Sequence, residues 1–256
     1  MLMVNVLPLT LLPAGGTPRE IEVGVKRVGC SRNASRDVEA TRTSVEETRA
    51  RGFQMHPPAG VCFRSRYLLT NEDAIEVQGP QTSGEAEFVA LRHGGEIYVS
   101  VGSDHNDRSL EELWTEMLGK VFDTAKSKQM VPAVVAREAW PYVEVRDHWD
   151  QLIVRSYVTV AGERIPYQDY TLSELLDLEY YLDRCEWMRE DGSVLLGGSG
   201  SQVPTVPESV FQGQTSMEGV TFPPDFQFEM VDPVLDRTIA HAYDILPLEE
   251  PGSLSL

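Results

Sequence analysis

The stretch Glu85-Ala86-Glu87-Phe88-Val89-Ala90-Leu91, turned by Gly94-Gly95 and answered by Glu96-Ile97-Tyr98-Val99-Ser100-Val101, decides how this chain folds. Two apolar runs separated by a Gly-Gly turn predict a β-hairpin. Side chains alternate along a strand, so Glu85 and Glu87 project from one face. Two like charges that close repel unless one stays in water or a cation sits between them. The solvated face of an edge strand meets that condition too, which makes the pair alone a weak signal. Asp104 strengthens it. It follows the second strand within Gly102-Ser103-Asp104-His105-Asn106-Asp107-Arg108, and a hairpin returns that strand's end to the start of its partner. Three carboxylates on a rigid sheet suit a hard cation, Mg²⁺ or Mn²⁺, with Ca²⁺ a third candidate. The competing reading makes Asp104 and Asn106 a turn that caps a helix starting at Ser109.

Outward from the hairpin, short strands dominate. Apolar and polar residues alternate over 21–28, and an apolar N-terminal stretch broken by Pro8 and Pro13 reads as a strand. Residues 36–51 lack Gly and Pro and predict a surface helix stopped by Gly52. Strands are expected over 61–69, 74–77, 151–160, 193–196 and 226–231, the fourth running into Gly197-Gly198-Ser199-Gly200, with Ala161-Gly162 turning a second hairpin. Ser109-x-x-Glu112 and Thr171-x-x-Glu174 have the capping-box pattern and predict helices. Residues 202–221 read as loop. The fold class is α+β, mainly β, with a few peripheral helices. Residues 1–60 are expected to pack as strands and a helix on a catalytic core spanning 60–248, and 249–256 form a tail.

The 256 residues carry 22 Lys+Arg against 40 Asp+Glu, a net charge of −18, with a pI near 4.6. Such a surface repels phosphate backbones and anionic lipid, so nucleic acid and membrane are poor partners. An apolar fraction of 41% supports a sizeable core and excludes wholesale disorder. Cys30, Cys62 and Cys185 are an odd number without a CxxC motif, which reads as reduced thiols in a cytoplasmic protein. No apolar run reaches the roughly 18–20 residues of a membrane-spanning helix.

Several segments together resemble the fumarylacetoacetate hydrolase superfamily. Glu85-x-Glu87-Phe88-Val89 and Val101-Gly102-Ser103-Asp104-x-x-x-Arg108-x-Leu110 are similar to its paired glutamates and its later G-N-D-x-x-x-R-D-L motif. Lys126-Ser127-Lys128-Gln129-Met130-Val131-Pro132 resembles its lysine segment, one residue short. Val158 to Glu163 with Tyr167-Gln168-Asp169-Tyr170-Thr171 resembles V-N-G-E…Q-D-x-x-T, and Gly192 to Gly200 is similar to G-D-V-I-x-T-G-T-P. The resemblance spans about 60–245 and is nearest to an uncharacterised branch known as a domain of unknown function. The N-x-x-D-H-x-x-E segment, which supplies a His–Glu dyad in the hydrolases, is not visible.

The resemblance implies a mixed β-roll, a homodimer, and a divalent metal on Glu85, Glu87 and Asp104. That metal would chelate a small oxo acid or β-dicarbonyl and stabilise an enolate. C–C hydrolysis, decarboxylation, hydration and isomerisation all fit. Lys128, or Lys126 given the offset, would neutralise the enolate oxygen or shuttle a proton. Arg108 would orient Asp104 or bind a substrate carboxylate, and Gln168, Gly198 and Ser199 would contact substrate. His105, beside the metal aspartate, has the titration range of a general base. The alternative is a non-catalytic binding or assembly protein that kept the fold, for which the missing dyad speaks.

Overall fold

The computed structural model describes residues 5–50, 58–110, 124–210 and 219–248. The expected hairpin is its centre. Strands Ala86–His93 and Glu96–Ser103 pair antiparallel from Ala86↔Ser103 to His93↔Glu96. Beyond Ala86–His93 the sheet continues through Ser193–Leu196, Arg27–Arg32 and the edge strand Gly60–Arg64. Beyond Glu96–Ser103 it continues through Glu138–Pro141, Asn5–Leu11 and Arg19–Val25. Ala133–Val135 also pairs with Glu96–Ser103.

This sheet curls. Alternation sends Phe88 and Ala90 into one core with Val99, Val101 and Trp140, and sends Val89 and Leu91 into another. The second core joins them to Leu7, Leu9, Val23 and Val28 from distant strands, so it fills the inside of a roll. The first core lies between the roll and a second sheet, ordered Glu163–Thr171, Ile153–Val160, Asp225–Asp232, Arg237–Pro247, Ala74–Val77. Phe88 meets Trp149 edge-on at 5.0 Å there. Residues 85, 87 and 89 share a face, which places both glutamates at the mouth of the roll above its apolar filling.

Several boundaries differ from expectation. The 21–28 alternation is two strands broken at Lys26, and 61–69 divides into Gly60–Arg64, a 3₁₀ turn at Arg66–Leu68 and Leu69–Thr70. The helix expected over 36–51 runs Val38–Ala50. Thr171 stands before only a short 3₁₀ turn, Leu172–Glu174, and makes no side-chain capping bond to it. It remains in its strand opposite Ile153, which already satisfies its backbone, and Asp177 instead caps the helix Leu178–Arg184 by accepting from the Tyr180 N–H at 2.8 Å. Asp107 rather than Ser109 serves the helical turn at 108–110, accepting from the Leu110 N–H at 3.1 Å and the Ser109 hydroxyl at 2.6 Å. Glu112 and the rest of that expected helix fall outside the described residues, as does the 249–256 tail. No helix among the described residues is long and apolar enough to cross a membrane.

The turn from Asp225–Asp232 into Arg237–Pro247 hangs on Asp232, whose side chain is fully buried. It accepts from the Val234 and Leu235 N–H groups, both at 3.1 Å, from Arg237 Nε at 3.1 Å, and pairs with His148 Nε2 at 2.9 Å. Burial opposes ionisation, but these donors win and hold the carboxyl below its usual 3.8. A depressed acid contributes stability above its unfolded value and loses it as pH falls through the folded one. Asp232→Asn should therefore melt well below wild type at pH 7, by about 3 kcal/mol, with the gap closing below pH 3.8. Thermal melts across that range check it, and a gap independent of pH would refute the ionic role.

Candidate functional site at the mouth of the roll

The mouth opens into a cavity of about 610 Å³. Helix Val38–Ala50 covers it with Ala40, Thr41, Ser44 and Val45, and Ser31, Arg32 and Asn33 form one wall. Glu85, Glu87, Lys128 and Arg108 line it, with Gly198 and Ser199 opposite the helix.

Asp104 lies behind this lining with no exposed surface. Its N–H donates to the Glu85 carbonyl at 2.9 Å, which extends the hairpin register by one step and keeps Asp104 on the glutamate face. Lys128 Nζ donates to Asp104 Oδ2, and Arg64 Nη2 sits 3.1 Å from Oδ1. Burial resists this carboxylate's charge, yet Lys128 and Arg64 hold it below the usual range. Burial likewise works against the Lys128 cation, and Asp104 more than compensates, so Lys128 is permanently charged. Lys126, the alternative from the offset, is exposed.

The two glutamates divide. Glu85 accepts from Arg108 Nη2 at 2.6 Å and from the Ser199 hydroxyl at 3.2 Å. Arg108, expected to orient Asp104 or bind a substrate carboxylate, is anchored on Ser83 at 2.7 Å and positions Glu85, while its charge also favours the Asp104 carboxylate. Glu87 is buried, and burial followed by the charge of Asp104 pushes its carboxyl well above the usual range against the pull of Lys128. It accepts from the Gly198 N–H at 3.0 Å. That contact needs glycine, because φ is +95° and a Cβ would sit 2.5 Å from the Ala34 Cβ. Gly198→Ala should cost about 2 kcal/mol or more through strain and clash. A melting temperature within about 2 °C of wild type would show that the loop accommodates the methyl.

Besides Asp104, two further expected site residues lie outside the cavity. His105 follows Asp104, so alternation turns its ring away from the mouth and into the inter-sheet core. Nδ1 pairs with the Tyr243 hydroxyl and Nε2 with Thr82 Oγ1, both at 2.8 Å. Burial, then Arg108 and Arg64, push its titration down to about 3. It is a neutral ring with both nitrogens engaged, which does not suit the general-base role expected for it. Gln168 is also internal: Oε1 accepts from the Ala86 N–H and the Ser156 hydroxyl, both at 2.8 Å, and Nε2 donates to the Gly200 carbonyl at 3.1 Å. It ties the Gly198–Gly200 loop to the Glu-bearing strand. Sequence reading missed Arg64 and the Ser31–Asn33 wall, whose one local signal is a basic residue ending an otherwise apolar strand.

The profile of a family described as a protein of unknown function, DUF2848, matches residues 32–243. The chain belongs to the DUF2848 family. The match contains every residue of the cavity lining except Ser31. No curated protein sequence matches the chain. Among solved structures this DUF2848 chain resembles that of Cg1458, with a TM-score of 0.57 at 12% identity over 91% of this chain and 85% of that one. It also resembles 2-keto-3-deoxyarabinonate dehydratase, with a TM-score of 0.57 at 12% identity over 88% and 75%. A third likeness is to yeast ynq8, a fumarylacetoacetate hydrolase family protein, with a TM-score of 0.51 at 12% identity over 91% and 97%. At such identities the likeness establishes the fold alone: this DUF2848 member has the fumarylacetoacetate-hydrolase-like mixed β-roll.

Proposed function

We propose that the protein is an enzyme acting on a small oxo acid or β-dicarbonyl through an enolate, with Mg²⁺ or Mn²⁺ held by Glu85, Glu87 and Asp104. The observation that carries this reading is the mouth itself, where two glutamates and a permanently charged lysine line one cavity and an aspartate stands directly behind. Two of the structural neighbours, a dehydratase and a hydrolase family member, lend it support by name.

The donor set fits a hard cation. All three groups offer carboxylate oxygen, Asp104 Oδ1 accepts no hydrogen bond among the described residues, and burial followed by the charge of Asp104 drives Glu87 toward its neutral form. Among the described residues no three ligating groups yet converge, because Lys128 holds Asp104 and Arg108 holds Glu85. A metal held by Asp104 would take the place of the Lys128 amine there. When bound, the ion supplies Lewis-acid stabilisation of the enolate oxygen.

The chain's own groups do the rest. Lys128, a cation while paired with Asp104, would offer a positive donor to the same oxygen. Arg108 and Ser199 fix the Glu85 carboxylate, and the Gly198 N–H fixes that of Glu87. The helix Val38–Ala50 shields the reacting atoms from bulk water. Hydrolysis of a C–C bond, decarboxylation, hydration and isomerisation share this enolate, and the reading covers all four.

Thermal shift tests it. Mn²⁺ or Mg²⁺ should raise the melting temperature, and oxalate, an enolate mimic, should raise it again only with metal present; a ligand at 100 times its Kd adds about 2.7 kcal/mol. Glu87→Gln, nearly isosteric, should fold and lose the metal shift. If that variant is stabilised by metal as wild type is, the ligand assignment is wrong. If oxalate never binds wild type, a non-catalytic role gains.

A further inference from the structure

Below the mouth, on the inner face of the roll, strands Arg27–Arg32 and Gly60–Arg64 pair antiparallel with Cys30 directly opposite Cys62. Residues so opposed have Cα atoms about 4.5–5.5 Å apart, within the roughly 4.4–6.8 Å that a disulfide spans. Both side chains join the same core. Their exposures differ: Cys30 is fully buried, whereas Cys62 lies on the sheet's edge strand and is half-buried. Arg32 lies two residues beyond Cys30, and its buried Nε and Nη2 have no hydrogen-bond partner among the described residues. Lys128 adds a second positive charge nearby.

We propose that Cys30 and Cys62 are a covalent modification site: a dithiol that a hydroperoxide converts to a cross-strand disulfide in the wall beside the cavity. The roles follow from position. Cys62, partly accessible and faced by Arg32 and Lys128, is the attacking thiolate, and Cys30, buried opposite it, is the resolving thiol. The titration directions agree: the neighbouring Cys30, helped by Lys128 and Arg32 against burial, brings Cys62 down to about 6, while Cys30 is raised.

The Cys62 sulfur attacks one peroxide oxygen, an S–O bond forms and the O–O bond breaks, and the departing alkoxide takes a proton to leave as an alcohol, or as water from hydrogen peroxide. Sulfur is oxidised by two electrons to the sulfenic acid as the peroxide is reduced. The Cys30 sulfur then attacks the Cys62 sulfur; the S–S bond forms, the S–O bond breaks, and hydroxide leaves with the Cys30 proton as water. Two thiols and one hydroperoxide give one disulfide, one alcohol and one water.

The full reduced chain, treated with one equivalent of hydrogen peroxide and digested without reductant, tests this by mass spectrometry. A peptide pair joined through Cys30 and Cys62, lighter by two hydrogens and separated by dithiothreitol, is the expected product. Cys185, whose thiol burial raises, stays free and serves as internal reference, with Cys62 consumed at least about tenfold faster. In Cys30→Ser, dimedone should trap Cys62 as the sulfenic acid. The proposal is overturned if Cys62 reacts no faster than Cys185, if linkage runs through Cys185 or between chains, or if wild-type Cys62 proceeds to the sulfinic acid unlinked. The wild-type peptide map decides between these outcomes even should the variant fail to fold.

Discussion

Lys128→Met should lower folding stability in EDTA by about 3–5 kcal/mol, the largest effect expected of any single substitution at the mouth. The amine is the cation bonded to Asp104, which has no exposed surface, and it also moderates the buried Glu87. Methionine fills the space of the side chain while removing its charge, so the loss is electrostatic. Asp104 keeps its ion pair with Arg64, whose Nη2 also donates to the His105 carbonyl at 2.6 Å and whose Nε and Nη1 find no partner among the described residues. At roughly 2–4 °C per kcal/mol for a chain of this size, melting should fall by about 6–20 °C. Lys128→Arg, which keeps the charge, should recover part of that loss. Added Mn²⁺ should rescue the methionine variant more than wild type, because the ion no longer competes with the amine for Asp104. A methionine variant that melts within about 2 °C of wild type would show that the ion pair contributes nothing.

His105→Ala should cost about 2–4 kcal/mol and leave metal-dependent stabilisation intact. The ring bridges Thr82 and Tyr243 from inside the core and meets the Tyr243 ring edge-on at 5.7 Å. Alanine leaves the Thr82 hydroxyl without this partner, takes one from Tyr243, and opens a void between the sheets. Tyr243 keeps its 2.8 Å contact with Ser103, which limits the damage. Calorimetry with and without Mn²⁺ separates the two outcomes. If the variant is stable but loses the metal shift, His105 belongs to the site after all.

Lysine and histidine also mark where the chain was readable. The hairpin, the shared face of Glu85 and Glu87, and the arrival of Asp104 beside them followed from strand period and a Gly-Gly turn, both local properties. Alternation also dictates that His105 faces away from Asp104, but proximity in sequence invited the opposite reading. Arg237–Pro247, missed as a strand, buries Ile239, Tyr243 and Ile245 on a period-two pattern with the polar His241 on the same face. The Thr171-x-x-Glu174 pattern yields only the 3₁₀ turn Leu172–Glu174, because Thr171 stays paired in its strand. Arg64 and Arg32 were beyond reach: their value comes from strands brought beside the hairpin by the curl of the sheet, a property no local window contains.

The contact between the Gly198 N–H and the Glu87 carboxylate joins residues 111 positions apart. The strand Ser193–Leu196 that delivers Gly198 is wedged between Ala86–His93 and the parallel strand Arg27–Arg32. On a translating ribosome, the glutamate-bearing strand thus emerges long before its neighbour exists, and one long edge of the nascent hairpin stays unpaired. Such non-local closure predicts slow maturation, with chaperone dependence concentrated in the interval before residue 198 clears the exit tunnel. The roll and the site would be completed by one late event, so a chain truncated before that point should yield neither.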